Sequence, residues 1–382
     1  MKLGKIARRV KRKMKEMEPT SPFGKFLVVT SYKAVLKLSG KYKRRTRSII
    51  KLINTMVPEE RAEDSAYKKK LLNEILYCRF MYGIAAKEYF VYEFEKLSHE
   101  GRKTFVTRGN KYGFYKKFNN PNYVGYFNQK TETYRKFGKY YNRDVACLYD
   151  EADFEKFQKF VEKHNRLIYK PADDYGGHGI KIYDASEYES VEDLFTIIMA
   201  NGFCVVEELI VQGHAIAQFH PESVNTMRIV AYRASAEETI IQWCFLRMGM
   251  GGSHTDNMSS GGLAAMVDPK TGVIYTTGRD WLGEIHMCHP DTGVQLVGFQ
   301  IPEWDKLMAL VKEISNVLPE VRFVGWDFAY SEKGWTFVEG NARPQCVSAQ
   351  ITEYNGKLHL YRAMNELYNM ENRDDEGEDD DE

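Results

Sequence analysis

Two neighbouring strand-like runs near the end of the chain constrain its fold more than any other feature, because polar side chains interrupt both of them. Residues 325–329 read Gly-Trp-Asp-Phe-Ala, and residues 337–343 read Phe-Val-Glu-Gly-Asn-Ala-Arg. The intervening Glu-Lys-Gly at 332–334 suits a three-residue hairpin loop with glycine in the left-handed conformation. This register predicts a β-hairpin in which Asp327 lies directly opposite Glu339.

Alternation along the two strands sorts their side chains onto two faces of the hairpin. One face is predicted to be apolar, with Trp326, Phe328 and Val338. The other is predicted to be polar, with the small Gly325 and Ala329 beside Asp327, Glu339, Asn341 and Arg343. Oxygen ligands crowded on one face are what a hard cation such as Mg²⁺ requires, usually together with substrate phosphates. A hairpin with a solvated polar face gives the same pattern, so the hairpin alone leaves both interpretations open.

The composition is that of a globular protein with a sizeable core. The chain has 382 residues, of which 43% are hydrophobic and 13% aromatic, enough for two or three packed subdomains. No apolar run approaches the length of a membrane span and no signal peptide precedes the body, so we expect a cytoplasmic protein. The six cysteines are scattered without a C-x-x-C pair, which predicts reduced thiols without a functional role.

The two ends of the chain carry opposite charges although the net charge is only +1. Residues 1–17 hold eight Lys or Arg and one Glu, with apolar residues at helical spacing, which predicts a basic amphipathic helix. Such a helix could pack on the protein body or make peripheral contact with the anionic inner membrane, and both interpretations stay open. Residues 371–382 are predicted to form an acidic disordered tail. The basic run lacks interleaved aromatic residues, so no nucleic-acid partner is expected.

Between these ends the pattern predicts an α+β protein. Residues 18–108 have high helical propensity, and residues 109–141 are rich in Tyr, Phe, Lys and Asn, which is typical of a surface connection or of the wall of a polar pocket. Helical spacing returns at 151–164 and 302–318. Strand-like runs that predict a mainly antiparallel sheet occur near 167–169, 180–183, 203–210, 226–233, 239–248, 263–267 and 273–277.

A glycine-rich loop follows the first of these strands. Lys170 ends the strand, and the loop that leads to the next strand contains Gly176, Gly177 and Gly179. Such a loop lets backbone amides and an ammonium group approach phosphate oxygens without obstruction by side chains. It is not a P-loop, because the Gly-x-x-x-x-Gly-Lys order is missing and the loop joins two strands.

Several motifs together resemble the ATP-grasp superfamily. In chain order they are Lys170 with its glycine loop, the acidic end of the strand at 204–210, Arg228, and the polar hairpin. The stretch Ser-Val-Asn-Thr-Met-Arg at 223–228, residues 257–262 and Gly-Trp-Asp at 325–327 are similar to the sugar-transfer-associated subgroup. The resemblance extends over most of residues 128–350.

The resemblance implies an ATP-grasp fold, in which two α+β subdomains clamp ATP, preceded by a helical N-terminal region. Residues 109–215 would form the lid subdomain with the glycine loop, and residues 216–370 the C-terminal subdomain with the metal site. The lid subdomain would follow the helical region at 18–108, and the C-terminal subdomain would precede the tail at 371–382.

The resemblance also implies roles for individual residues around ATP. Lys130 and Lys170 would contact phosphates, although Lys136 or Lys139 could replace Lys130, and Gly176, Gly177 and Gly179 would let the lid approach. Glu207 would accept a hydrogen bond from the adenine amino group, and the main chain of Glu208 or Leu209 would complete that edge. His214 occupies the place where relatives have an acid for the ribose hydroxyls.

The remaining implied roles concern the metal and the reaction. Asp327, Glu339 and Asn341 would hold one or two Mg²⁺ ions. Arg228 and Arg343 would stabilise the transferring phosphoryl group or anchor a substrate carboxylate, unless they form structural ion pairs.

The function that follows is an ATP- and Mg²⁺-dependent carboxylate-amine ligase that acts through an acyl phosphate. Its expected substrates are small-molecule or glycan-linked carboxylates and amines, in bacterial surface polysaccharide or glycoconjugate synthesis. Two alternatives remain, a phosphotransferase that acts on a hydroxyl group and a nucleotide-binding scaffold for glycan enzymes. The complete set of predicted metal ligands and lysines favours an enzyme over a scaffold.

Overall fold

The computed structural model describes residues 12–14, 16–17, 19–173 and 179–374. Of the basic helix predicted over 1–17, residues 12–14 and 16 are helical, and most of the rest lies outside the described residues. Of the acidic tail predicted over 371–382, residues 371–374 continue the last helix, and the remainder lies outside. Gly176 and Gly177 of the glycine loop also lie outside.

The chain divides into two compact units. The first comprises Met1–Gly113 and Tyr354–Tyr361, and the second comprises Phe114–Glu353 and Arg362–Glu382. Of the residues that the structure describes, 44% are helical and 20% lie in strands, the mixture that the α+β prediction requires. The finer division into five segments stays a prediction.

The first unit is helical, as the propensities at 18–108 predict. Its helices are α1 (Pro22–Leu38), α2 (Tyr42–Met56), α3 (Ser65–Met81), α4 (Ala86–Val91) and α5 (His99–Lys103). Side chains cap three of these helices: Ser21 accepts from the Gly24 N–H at 3.1 Å, Asp64 from the Tyr67 N–H at 2.8 Å, and Ser98 from the Gly101 N–H at 3.1 Å. Among the described residues, no helix is both long enough and apolar enough to cross a membrane.

The second unit contains two antiparallel sheets. The smaller has the order β1-β4-β2-β3, and the larger has the order β11-β10-β5-β6-β7-β8-β9. The strands of the smaller sheet are β1 (Val145–Leu148), β2 (Arg166–Pro171), β3 (Lys181–Asp184) and β4 (Cys204–Glu208). Those of the larger sheet are β5 (Thr226–Arg233), β6 (Thr239–Met248), β7 (Leu263–Val267), β8 (Gly278–Asp280), β9 (Ile285–His286), β10 (Phe323–Ser331) and β11 (Gly334–Asn341).

Helices cover one face of each sheet and form two hydrophobic cores. The later helices are α6 (Lys111–Phe118), α7 (Lys130–Phe137), α8 (Phe154–Lys163), α9 (Val191–Met199), α10 (His214–Ala217), α11 (Trp304–Ser315), α12 (Val347–Glu353) and α13 (Leu358–Asp374). Phe157 and Phe195, from α8 and α9, pack against Leu167 of the smaller sheet. The larger core joins α7 and α11 to the inner face of the larger sheet around Trp326. No disulfide bond joins any of the six cysteines, all of which lie within the described residues.

The sequence pattern located the long strands well and the short ones poorly. The predicted runs at 226–233, 239–248 and 263–267 coincide with β5, β6 and β7. The run at 273–277 is not a strand, because it makes only isolated bridges and the Thr276 hydroxyl accepts from the Met266 N–H at 2.9 Å. The Thr276 hydroxyl therefore takes the place of the backbone carbonyl that would accept from this N–H in a regular β-ladder. The short strand β1, which pairs with β4, was not predicted.

The polar hairpin forms with the predicted pairing of Asp327 and Glu339, but by a different path. The loop has two residues, because Ser331 pairs with Gly334, whose φ is +92°. A one-residue register shift after Asp327 compensates for the shorter loop. The two differences cancel, so the predicted partners still face each other.

The register shift corrects one predicted side-chain position. Val338 was expected on the apolar face, but it lines the same polar cleft as Glu339. Phe337 takes its place in the core, with its ring centroid 6.0 Å from those of both Trp326 and Phe328. The extra residue in β11 reverses the alternation at this point, which sequence spacing does not reveal.

Gly340, between Glu339 and Asn341, gives a test of how tightly this hairpin is packed. A Cβ atom there would lie 2.8 Å from the Phe127 ring and 3.1 Å from Cζ3 of Trp326. The Phe127 ring is itself confined, 5.5 Å from the Phe137 centroid. We expect Gly340→Ala to lower the free energy of unfolding by about 1–3 kcal/mol in urea denaturation, because the core is already filled.

Gly125→Ala is the matched control for that substitution. A Cβ atom at Gly125 would meet nothing within 4 Å. Its free energy of unfolding should stay within about 0.5 kcal/mol of the wild-type value. Equal stability of the two variants would show that the hairpin has room that the structure does not indicate.

Candidate active site

A cleft of about 460 Å³ in the second unit is lined by residues of both sheets. The smaller sheet contributes Lys170 and Glu207, and the larger contributes Arg228, Glu339 and Asn341. Lys130 from α7 and Arg343, which follows β11, also line it. The structure therefore brings together seven predicted site residues: Lys130, Lys170, Glu207, Arg228, Glu339, Asn341 and Arg343.

Other predicted site residues lie away from this cleft or on its margin. Glu208 and Leu209 line a separate depression of about 200 Å³. His214 is exposed in the first turn of α10 and is not among the described residues that line the cleft. Gly179, at the end of the glycine loop, is exposed and has a φ of +69°, a conformation that favours glycine.

Lys130 is fixed at the edge of the smaller sheet. It is the first residue of α7, its N–H donates to the Ala172 carbonyl at 2.9 Å, and its Nζ donates to the Pro171 carbonyl at 2.9 Å. The alternatives lie elsewhere: Lys136 stands 5.0 Å from the Tyr126 ring centroid, and Lys139 pairs with Glu313. Of the three lysines that the sequence left open, Lys130 is the one that lines the cleft.

Glu207 is a buried anion held by two cations. Its Oε2 accepts from Nε and Nη2 of Arg143 at 2.9 and 2.5 Å and from Nζ of Lys170 at 2.8 Å. The side chain is only 3% exposed. Burial opposes its ionisation, but the charges of Arg143 and Lys170 prevail and lower the pKa of Glu207 to about 2.

The resemblance assigned the Glu207 carboxylate to an adenine amino group, and that role stays a prediction. In the structure the same carboxylate accepts from Nζ of Lys170, whose side chain is 12% exposed. Sequence reasoning missed Arg143 because it also missed β1, which begins two residues later. The charged pair Arg143-Asp144, directly before the apolar run at 145–148, is the signal that could have found it.

Asp327 lies beneath the cleft and is completely buried. Its carboxylate accepts from Nε of Arg228, from Nη2 of Arg228 at 2.6 Å, and from Nη2 of Arg247 at 2.8 Å. Burial works against the charged form, but Arg228 and then Arg247 hold the pKa of Asp327 below its ordinary value.

The position of Asp327 corrects the expectation that it is open to a cation in the cleft. Strand β10 pairs with β5 on one side, and this pairing places Arg228 directly opposite Asp327. Side chains opposite each other on one face of a sheet are within reach of one another. The arginine therefore covers the carboxylate for which the resemblance implied a metal.

Arg247 is the second charged residue that sequence reasoning missed. It lies within the apolar strand β6, where a lone guanidinium is itself a signal. Besides Asp327, it contacts Oγ1 of Thr226 at 2.7 Å and Oδ2 of Asp256 at 3.3 Å. Burial raises the pKa of Asp256, although Arg247 opposes this effect. The floor of the cleft is thus a buried network of alternating charges.

Glu339 and Asn341 are the hairpin residues that face the cleft. The Glu339 side chain is 57% exposed, and its Oε1 accepts from Nδ2 of Asn341 at 3.0 Å. Desolvation within the cleft and the charge of Asp327 both raise the pKa of Glu339, while the Arg228 guanidinium, 3.7 Å away, opposes them.

The donor set fits Mg²⁺, with one condition. Glu339 and Asn341 offer a carboxylate and an amide oxygen from neighbouring positions, as hard cations prefer. Desolvation is the first cause of the raised pKa of Glu339 and the charge of Asp327 is the second, and a divalent cation would offset that second cause. Asp327 would join the ligands only if it exchanged a contact with Arg228 or Arg247.

Comparisons with known proteins give one family. A family model described as sugar-transfer associated ATP-grasp matches residues 110–366. Comparison with curated proteins gives no match.

Solved structures are similar at low identity. The ATP-grasp ligase PsnB complexed with minimal precursor is 11% identical, with 65% of this chain and 63% of that chain covered and a TM-score of 0.41. D-alanyl-alanine synthetase A from Vibrio cholerae is 10% identical, with 64% and 66% covered and a TM-score of 0.39. Biotin carboxylase from Campylobacter jejuni is 12% identical, with 63% and 46% covered and a TM-score of 0.38. The chain thus spans about 63% of the PsnB chain.

The buried cluster around Glu207 gives a stability prediction. Glu207→Gln leaves Arg143 and Lys170 without their shared counter-charge, so the free energy of unfolding at about pH 7 should fall by about 3–5 kcal/mol. Because folding lowers the pKa of Glu207 from 4.5 to about 2, its stabilisation is complete above about pH 4.5 and is lost as the pH falls towards 2. The difference between wild type and variant should therefore shrink in that range in urea titrations.

Glu155→Gln is the control for Glu207→Gln. Glu155 pairs with Lys159 at 2.6 Å, but its side chain is 77% exposed, so the change should leave the free energy of unfolding close to the wild-type value. A difference between the wild type and Glu207→Gln that stays constant from about pH 7 to about pH 3 would contradict the assignment of a buried, ionised Glu207.

Proposed function

Because the chain belongs to the sugar-transfer associated ATP-grasp family, we propose that it is an ATP- and Mg²⁺-dependent ligase that joins a carboxylate to an amine. One observation carries the proposal: a single cleft combines two lysines, three arginines, the exposed Glu339 and the half-buried Asn341. Cations from two sheets beside oxygen ligands suit a polyphosphate with its metal.

The nucleotide would lie between the two sheets. Lys130 and Lys170 would offset the charge of its phosphates, and the glycine loop that ends at Gly179 would pass over them. Glu207 would position Lys170, because its Oε2 accepts a hydrogen bond from Nζ of Lys170 at 2.8 Å. Once a phosphate oxygen is present, Lys170 could bond to it while its alkyl chain stays in place.

Glu339 and Asn341 would hold Mg²⁺, with Asp327 beneath them as a further anion. When bound, the metal supplies Lewis-acid stabilisation of the charge on the phosphates. Arg228 lies between Asp327 and Glu339, with its Nη2 3.7 Å from Oε1 of Glu339. It would help to bind the anionic group of the substrate above it. Arg343 is exposed in the cleft and would anchor a substrate carboxylate through its planar fork.

The reaction would proceed in two displacements. A carboxylate oxygen of the first substrate attacks the γ-phosphorus, the bond to the β-phosphate oxygen breaks, and ADP and an acyl phosphate result. The amine then attacks the acyl carbon, inorganic phosphate leaves with the C–O bonding pair, and the nitrogen loses a proton to solvent. The lysines and arginines contribute by stabilising charge, because neither step needs a nucleophilic side chain.

The substrates proposed are small-molecule or glycan-linked carboxylates and amines, in bacterial surface polysaccharide or glycoconjugate synthesis. The association of the family with sugar transfer supports this assignment. A stable phosphorylated product without any amine requirement would instead indicate a phosphotransferase. Nucleotide binding without turnover of any carboxylate and amine would indicate a scaffold.

Glu339→Gln tests the proposed metal ligand. With 57% of its side chain exposed, Glu339 can be changed with little effect on folding, so the melting temperature should stay within about 2 °C of the wild-type value. Loss of the carboxylate should lower Mg²⁺-dependent ADP release, assayed over a panel of carboxylates and amines, by about 100-fold or more.

Glu332→Gln is the control, because it makes the same chemical change in an exposed residue at the tip of the same hairpin. Its rate of ADP release should equal that of the wild type. Unchanged ADP release in Glu339→Gln would remove Glu339 from the reaction.

Lys130→Met and Lys136→Met test which lysine of the tyrosine-rich segment binds the nucleotide. Lys130 lines the cleft, whereas Lys136 stands against the Tyr126 ring. Lys130→Met should weaken ADP binding by about 10-fold or more in calorimetry, and Lys136→Met by less than about twofold. Equal effects would contradict the placement of the phosphates beside Lys130.

A further inference from the structure

Residues 19–58 hold nine Lys or Arg and no Asp or Glu. They form α1 and α2 of the first unit and lie outside residues 110–366, which the family model matches. The proposed ligase chemistry assigns no role to this segment. A charge imbalance of this size over two successive helices calls for an anionic counterpart.

The exposed side of α1 is apolar as well. Phe23, Phe26, Leu27 and Leu38 are 71%, 64%, 45% and 90% exposed. Together with Thr30 and Ala34 they recur at helical spacing and form one stripe along the helix. Val28, Val29 and Leu36 already fill the opposite side, where they are buried. Packing within the unit therefore accounts for the inner side of α1 and leaves the outer stripe in solvent.

Helix α2 adds the charges. Lys43, Arg44, Arg47 and Lys51 are exposed, while Thr46, Ile49 and Ile53 are buried on its inner side. None of these four cations forms a hydrogen bond or ion pair with any residue that the structure describes. They are thus available to a partner without the loss of an existing contact.

The two helices form one surface. The Tyr32 hydroxyl of α1 accepts from Nη1 of Arg45 at 2.8 Å, and Nζ of Lys37 stands 5.4 Å from the Tyr42 ring centroid. We call the exposed residues of α1 and α2 the basic–apolar surface.

We propose that the basic–apolar surface binds anionic membrane lipid. The stripe on α1 would enter the boundary between headgroups and acyl chains, and the cations of α2 would pair with lipid phosphates. Nucleic acid would pair with the cations but would give Phe23, Phe26 and Leu38 no apolar surroundings. The combination of cations and exposed apolar side chains therefore favours a membrane. The proposal is independent of the nucleotide cleft.

The test uses the full chain and vesicles in a sedimentation assay. Vesicles of phosphatidylglycerol and phosphatidylethanolamine should bind the protein, whereas pure phosphatidylcholine should not. Binding should weaken as NaCl rises from about 0.1 M to about 0.5 M, because salt screens the headgroup charges. Binding to both kinds of vesicle alike, or to neither, would overturn the proposal.

Two sets of substitutions locate the contact. Phe23→Ser with Phe26→Ser should weaken partitioning by about 10-fold or more, because two apolar side chains no longer leave water. Lys43, Arg44, Arg47 and Lys51 changed together to Gln should weaken it by about 100-fold or more, at about fivefold for each charge near the lipid. Phe203→Ser is the control, since Phe203 is 61% exposed but belongs to the second unit. Its partitioning should equal that of the wild type.

Further measurements keep the outcome decisive. In the full chain, replacement of the eight Lys and Arg of residues 1–17 by Gln should leave most of the binding intact. If that change abolishes binding while the α1 and α2 variants retain it, the surface is wrongly assigned. Phe26→Trp should show a blue shift of emission on anionic vesicles and quenching by brominated lipid, which checks insertion without a loss-of-function variant. Tight binding of RNA together with no vesicle binding would assign the surface to nucleic acid instead.

Discussion

The carboxylate of Asp327, shared by Arg228 and Arg247, is the interaction on which the cleft depends. The three residues come from the adjacent central strands β10, β5 and β6, and the carboxylate is completely buried. A buried charge is strongly unfavourable unless it is paired, so this cluster penalises any slip in the register of these strands. The same register places Glu339 opposite Asp327 on the next strand. The ion-pair network beneath the candidate metal ligands thus fixes their positions.

A second buried cluster performs a comparable task in the smaller sheet. Glu207 holds Arg143 and Lys170, so one anion fixes two cations, of which Lys170 lines the other wall of the cleft. The two clusters differ in what they present to a ligand. The smaller sheet offers excess positive charge for phosphates, and the larger sheet offers the exposed carboxylate and amide of Glu339 and Asn341. This division matches the two parts of a metal–nucleotide complex.

Sequence reasoning succeeded where the signal is local and failed where it depends on strand neighbours. The strands β5, β6 and β7 follow from their apolar patterns, and the pairing of Asp327 with Glu339 was predicted. Val338 was misplaced because a register shift and a shorter loop cancel in the pairing but not in the alternation of side chains. The register shift places Phe337 in the core, which no count of residues reveals.

Short segments of the chain already encode three of its properties: the residue types near the cleft, the hairpin, and the membership of a family. They can do so because alternation, turn chemistry and motif spacing are local. The burial of Asp327 and the roles of Arg143 and Arg247 are different in kind. The ion pairs that Glu207 and Asp327 form with arginines join residues 64 to 99 positions apart, so they exist only once particular strands have become neighbours. Tertiary structure therefore decided which acids are available to a cation and which are neutralised, since proximity in the sheet, and not spacing in the sequence, sets the local charge.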